Sequence, residues 1–180
     1  MSKLSDVTSA ALLELLGNVN LSKGVLAINL GGAATVKSTA AYTYTVDGVL
    51  LAKAALAAQA ITPTHDAFGN VAAGYVQPAG KTAYLTVSLN AAGTVSVAQG
   101  TYAGQTAGTD PAVGVGPAYN GGISFVGAGR VPDVPDFYTP IGVIKVVTGA
   151  SAFTPGVTAL DAAGVTVSYF DVAVLPSALL

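Results

Sequence analysis

Tyr84-Leu85-Thr86-Val87-Ser88-Leu89-Asn90-Ala91-Ala92-Gly93-Thr94-Val95-Ser96-Val97 is the stretch that decides the fold. Leu85, Val87 and Leu89 alternate with Tyr84, Thr86 and Ser88, and Val95 and Val97 alternate with Thr94 and Ser96. A period of two places the five aliphatics on one face of a pleated ribbon and the hydroxyl-bearing side chains on the other. The join, Asn90-Ala91-Ala92-Gly93, has the chemistry of a turn. An Asn side chain at the first turn position bonds the backbone two residues on, and Gly supplies a left-handed residue that returns the chain to a strand. Leu160-Asp161-Ala162-Ala163-Gly164-Val165-Thr166-Val167 repeats the phrase with Asp in place of Asn. It predicts a second hairpin of the same type, with positive φ at both Gly93 and Gly164.

Outward from this hairpin the chain keeps reading as strands. Tyr42-Thr43-Tyr44-Thr45-Val46 and Val49-Leu50-Leu51-Ala52 flank Asp47-Gly48, a strong signal for a two-residue hairpin because both central residues need positive φ. Val25 to Leu30 reads as a short strand. Ala54 to Ala60 is helical by propensity, but an extended course into Ile61-Thr62-Pro63 leaves the preceding strand unbroken and is the favoured reading. Thr64 to Gly80 is a loop region with a short strand at Val71 to Val76. Ile141 to Val147 is nearly continuous in aliphatics, which predicts a strand covered on both faces, and Tyr169 to Val174 reads as the last strand. Leu85, Val87, Leu89, Val95 and Val97 should share one core, with Val143 or Ile144 close by.

The expected fold class is therefore mainly β: an antiparallel β-sandwich or barrel-like domain built from hairpins, with a short N-terminal helix or arm. The β-rich domain spans 21–176 and carries a Gly/Pro-rich loop at 100–122 and a Pro-rich loop at 130–140. Residues 1–20 form the helix or arm, and 177–180 a C-terminal tail. Ser5 to Leu16 is the one good helix candidate, capped by Ser5 or Asp6 and stopped at Gly17-Asn18. Leu12, Leu13, Leu15 and Leu16 lie too close together for one narrow stripe, so the helix either lies against the sheet or docks on a neighbour.

Composition bounds the function. Of 180 residues only 9% are charged, far below the usual quarter, while 52% are hydrophobic and 22 are Gly. Mean hydropathy is positive. Either the surface is neutral and hydroxyl-rich, or much of it lies against other subunits, and the second reading is the stronger. Seven basic and nine acidic side chains give a net charge of −2 with no basic footprint, so nucleic acid is not an expected partner. Without cysteine there is no disulfide framework and no thiolate chemistry. The apolar run Ala10 to Leu13 is short and meets Glu14, unlike a signal peptide. The uncharged stretch Thr82 to Thr109 is rich in Gly, Thr and Gln and reads as strands and loops, so no membrane partner is expected.

Chemistry is sparse. His65 is the only histidine, and a serine-histidine-aspartate site would have to use it with Asp66. No Gly-x-Ser-x-Gly elbow accompanies it, and Thr64-His65-Asp66 reads as a solvated loop. Asp133 and Asp136 lack the dense oxygen spacing of a calcium loop and read as surface decoration. Gly127-Ala128-Gly129-Arg130 and Gly114-Val115-Gly116-Pro117 are fragments of phosphate loops without the third glycine in register. Tyr42 and Tyr44 share a strand face, where cross-strand packing is commoner than stacking on a ligand. No catalytic residue, cofactor or metal is expected. The candidate interaction residues are the apolar ones near the termini, Leu12, Leu13, Leu16, Leu179 and Leu180, and the loop aromatics Tyr102, Tyr119, Phe137 and Tyr138.

The order Thr43-Tyr44-Thr45-Val46-Asp47-Gly48-Val49-Leu50, Gln77-Pro78-Ala79-Gly80-Lys81, Leu89-Asn90-Ala91-Ala92-Gly93-Thr94-Val95, Pro140-Ile141-Gly142, Leu160-Asp161-Ala162-Ala163-Gly164 resembles virion structural proteins of tailed bacteriophages. Within that group it is most similar to small capsid decoration, or cement, proteins. The likeness covers roughly residues 40 to 176 and is one of motif order and style. It implies a non-enzymatic β-rich subunit, often a homotrimer, that is made in the host cytoplasm and stabilises the capsid exterior. Its partners would be the major capsid protein, or another virion protein, and copies of itself. Tail, baseplate and fibre proteins share the style, and some of those would use exposed aromatics to bind a receptor or glycan.

Overall fold

A computed structural model describes residues 17–102 and 131–173. It is mainly β. The strands are β1 (Leu26–Ile28), β2 (Thr35–Ser38), β3 (Tyr42–Val46), β4 (Val49–Lys53), β5 (Gln59–Ala60), β6 (Thr82–Asn90), β7 (Val95–Gln99), β8 (Tyr138–Thr148) and β9 (Val165–Asp171). They form three antiparallel sheets, ordered β1-β2-β5, β3-β4 and β7-β6-β8-β9. The four-stranded sheet is one layer of a sandwich-like arrangement. Its inner face supplies Leu85, Val87, Leu89, Val97, Ile141, Ile144 and Val146 to the core. Leu26 and Val36 from the first sheet and Tyr42, Tyr44 and Val46 from the second pack into the same core.

The central hairpin forms as its sequence requires. Leu85 to Leu89 on β6 pair with Gln99 to Val95 on β7. Asn90 Oδ1 accepts the N–H groups of Ala92 (3.0 Å) and Thr94 (2.9 Å), and Gly93 sits at φ 72°. Leu85 faces Ile144 and Thr86 faces Val143 across β6 and β8. The β3–β4 turn is also as expected, with Asp47 at φ 50° and Gly48 at φ 75°. Residues 54–57 are neither helix nor strand, and the extended course reaches β5 before Ile61 is buried.

Several expectations change. Gly164 has φ 80°, but no second hairpin forms, because β9 pairs only with β8. The Asp161 carboxylate is drawn away from its own turn and accepts the Gly32 N–H through both oxygens at 2.9 Å. Val71 to Val76 is not a strand; Val71 makes a single bridge to His65. In β8, Ile144 and Val146 are buried while Val143, Lys145 and Val147 are half-buried, so only one face is fully covered. Residues 17–21, read as the end of an arm and its junction, run alongside β3: Val19 and Thr45 exchange both backbone hydrogen bonds, and Leu21 N–H donates to Thr43 O. The helix candidate at Ser5 to Leu16 lies outside the described residues, as does the tail at 177–180.

The hydroxyl face of β6 and β7 is buried too. Thr86, Ser88 and Ser96 are sealed from solvent. Loops cover them, and loop backbone without a ladder needs polar partners. Thr86 Oγ1 donates to Pro132 O, and the Gln99 side chain bonds both Tyr75 N–H and Tyr75 O. Gln77 likewise donates to Lys81 O and Val146 O. The strand register slips between Val87 and Ser88, where Pro140 enters β8. Pro lacks the ladder donor, and a bulge beyond the end of β9 is a place that tolerates it.

Candidate functional site

Two places in the described structure gather polar side chains near a surface. The first surrounds His65. Its Nδ1 lies 2.9 Å from Ser96 Oγ and 3.0 Å from Thr64 Oγ1, and its ring lies 6.1 Å from that of Tyr138. His65 bridges both Val71 and Ala98, so it is partly buried and tied into the sheet, not in a solvated loop. Burial holds its imidazole below the ordinary value of 6.5, while Asp66 pulls the other way. Asp66 is committed elsewhere. Its carboxylate accepts the N–H groups of Phe68 (2.8 Å) and Asn70 (3.0 Å) and closes that turn. Ser96 is 2% exposed, which keeps its hydroxyl from any external substrate. This cluster anchors the covering loop to the sheet.

The second place is an open cleft of about 510 Å³ where three distant segments meet. Asn18 arrives ahead of the chain alongside β3, Asp47 is the tip of the β3–β4 hairpin, and Asp136, Phe137, Tyr138 and Pro140 lead into and begin β8. Asn18 Oδ1 accepts the Asp47 N–H at 2.7 Å, and the Thr139 hydroxyl donates to Thr45 O, so the hairpin tip is tied to both neighbours. Pro135 to Tyr138 form a turn closed by Tyr138 N–H to Pro135 O at 3.2 Å. Phe137 occupies its left-handed position at φ 63°.

The structure thus brings Phe137 and Tyr138 together but leaves Tyr102 apart. Tyr102 is half-buried, with its ring 5.6 Å from Tyr75 and 6.0 Å from Lys81 Nζ. It lies near the Tyr84 end of β6, whereas Tyr138 pairs with Asn90 at the other end, about 20 Å away by strand rise. Leu12, Leu13, Leu16, Tyr119, Leu179 and Leu180 lie outside the described residues. Asn18 and Asp47 were legible only as a helix stop and a turn residue, and Asp136 only as loop decoration. Nothing in the local sequence joins them. Among the described residues no group of three or more His, Cys, Asp or Glu side chains is placed to hold a metal ion. No family model, no curated protein and no solved structure matches the chain.

Proposed function

We propose that the chain is a non-enzymatic structural protein of a phage virion, a decoration or cement subunit that binds and stabilises the capsid exterior. The observation that carries the reading is the edge of β4. Among the described residues its outer side pairs with no strand, and it presents Val49 (58% exposed) and Leu50 (51%) beside exposed Ala52. Lone edges are ordinarily blunted by charge, proline or a bulge, because an open row of N–H and C=O groups recruits another chain. Here the one charge on the strand is Lys53 at its end. A flat apolar edge on a chain with 9% charged residues fits a subunit that works in contact with other proteins. The partners are the major capsid protein, or another virion protein, and copies of itself, with a homotrimer favoured. The site of action is the particle exterior, after synthesis in the host cytoplasm.

Cosedimentation of the purified chain with undecorated shells tests this, with light scattering for the subunit count. Leu50→Lys places a charge on the β4 edge without touching the core. It should keep the β-sheet circular dichroism and lower shell binding or self-association at least tenfold. A wild-type chain that stays monomeric and ignores shells ends the decoration reading. A trimer that ignores shells moves the protein to the tail, baseplate or fibre, the second reading that the resemblance leaves open.

A further inference from the structure

We infer that the cleft beside Phe137 is a binding site for a neutral saccharide. Phe137 is 65% exposed, so burial does not explain its presence. It also stands at φ 63° in the turn position that favours glycine. A strained backbone that holds a bulky ring in solvent is grounds for a functional hypothesis. Phe137 lines an open surface cleft of about 510 Å³.

The other walls define the ligand. Asp47 and Asp136 present carboxylates that accept no hydrogen bond and form no ion pair with any described residue. Asn18 uses Oδ1 to hold Asp47 N–H, which leaves its Nδ2 to donate. Tyr138 adds a phenol and Pro140 an apolar edge. A ligand that satisfies this set needs an apolar face for the aromatic ring and groups that both donate and accept. Each hydroxyl of a pyranose does both, and its C–H face stacks on an aromatic ring. The two carboxylates repel uronates, sialic acids and phosphates, since the described lining holds no lysine or arginine.

The test is a titration of the full chain, by saturation-transfer NMR and calorimetry, with three sets of probes. These are neutral methyl glycosides and short neutral oligosaccharides, uronate-containing oligosaccharides, and the cations choline and arginine methyl ester. The expected result is binding of at least one neutral sugar, with uronates at least tenfold weaker. Phe137→Ala and Asp136→Asn should each weaken it tenfold or more, and Phe137→Tyr should preserve it. Phe137→Gly removes the ring while relieving the backbone, so loss of binding in that variant at undiminished stability separates recognition from folding. Binding by none of the neutral sugars at millimolar concentration overturns the proposal. So does unchanged binding in Phe137→Ala and Phe137→Gly, or binding by the cations alone.

Discussion

Gly142→Ala tests how the layers meet. Gly142 lies in the middle of β8, and a Cβ built there stands 2.2 Å from Leu26 Cδ1 and 3.1 Å from Phe170 O. Leu26 comes from β1 and is only 5% exposed, so its side chain has little room to withdraw. Phe170 O is backbone of the neighbouring strand β9. Overpacking of this kind costs about 1–3 kcal/mol. Leu26→Ala alone empties the same space and should cost about 2–5 kcal/mol. The two changes are not independent. In the double variant the new methyl group enters the space that Leu26 vacates, so the clash disappears and part of the cavity is filled. The tight contact with Phe170 O is common to both alanine-142 variants and cancels in the cycle. The double variant should therefore be more stable than the sum of the single losses by at least about 1 kcal/mol. Urea unfolding followed by circular dichroism supplies the four free energies. Additivity within about 0.5 kcal/mol, or a Gly142→Ala variant as stable as wild type, would refute the packing of β1 across β8.

Gly93→Val should cost about 1–2 kcal/mol or more, because φ 72° resists a β-branched residue, while the nearest obstacle is only the flexible Lys53 side chain. Gly164→Val, at φ 80°, should cost a similar amount, and urea midpoints for both variants check it. His65 supplies a pH signature: burial lowers its folded pKa below 6.5, so the unfolded chain binds the proton first as pH falls. Its contribution is complete above about pH 6.5 and declines below it, and a His65→Asn variant should lose that part of the slope of urea midpoint against pH.

The parts of the fold that were legible are those where one residue type answers one local demand. Asn90 and Gly93 act within their own turn, and Asp47-Gly48 meets a requirement for positive φ that few other pairs satisfy. Asp161 looked the same as Asn90, but its carboxylate serves Gly32, a partner 129 residues away. A side chain that can act locally or at long range cannot be assigned from its neighbours alone. β2 escaped notice because it is short and Val36 is its only fully buried aliphatic. The cleft was hidden for the same reason as Asp161. Asn18, Asp47 and Asp136 converge only once the hairpin tip is tied to the start of β8.

The low charge of the chain has two separable sources, and they lead to different conclusions. A neutral, hydroxyl-rich surface is the weaker of the two sequence readings of the low charge. Many hydroxyl and carboxamide side chains lie inside: Thr86, Ser88, Ser96, Gln77, Gln99, Thr139 and Thr148 are all buried. Some bond to the backbone of loops that cover the sheet, as Thr148 does at Pro78 O and Lys81 O, and others to strand backbone, as Thr139 does at Thr45 O and Ser88 at Ser96 O. That internal demand accounts for part of the Ser, Thr and Gln content. It does nothing for the aliphatics left outside. Single exposed aliphatics such as Val71 and Val157 are ordinary on any protein and carry no argument. Val49 and Leu50 differ because they are adjacent, lie on an unpaired strand edge among the described residues, and have only Ala52 and Lys53 to shield them. Full burial of each would contribute about 1.5–3 kcal/mol, and a partner strand would also satisfy the open backbone groups. The fold of the chain accounts for the buried hydroxyls, and the proposal of a second chain rests on the β4 edge, which is unpaired among the described residues.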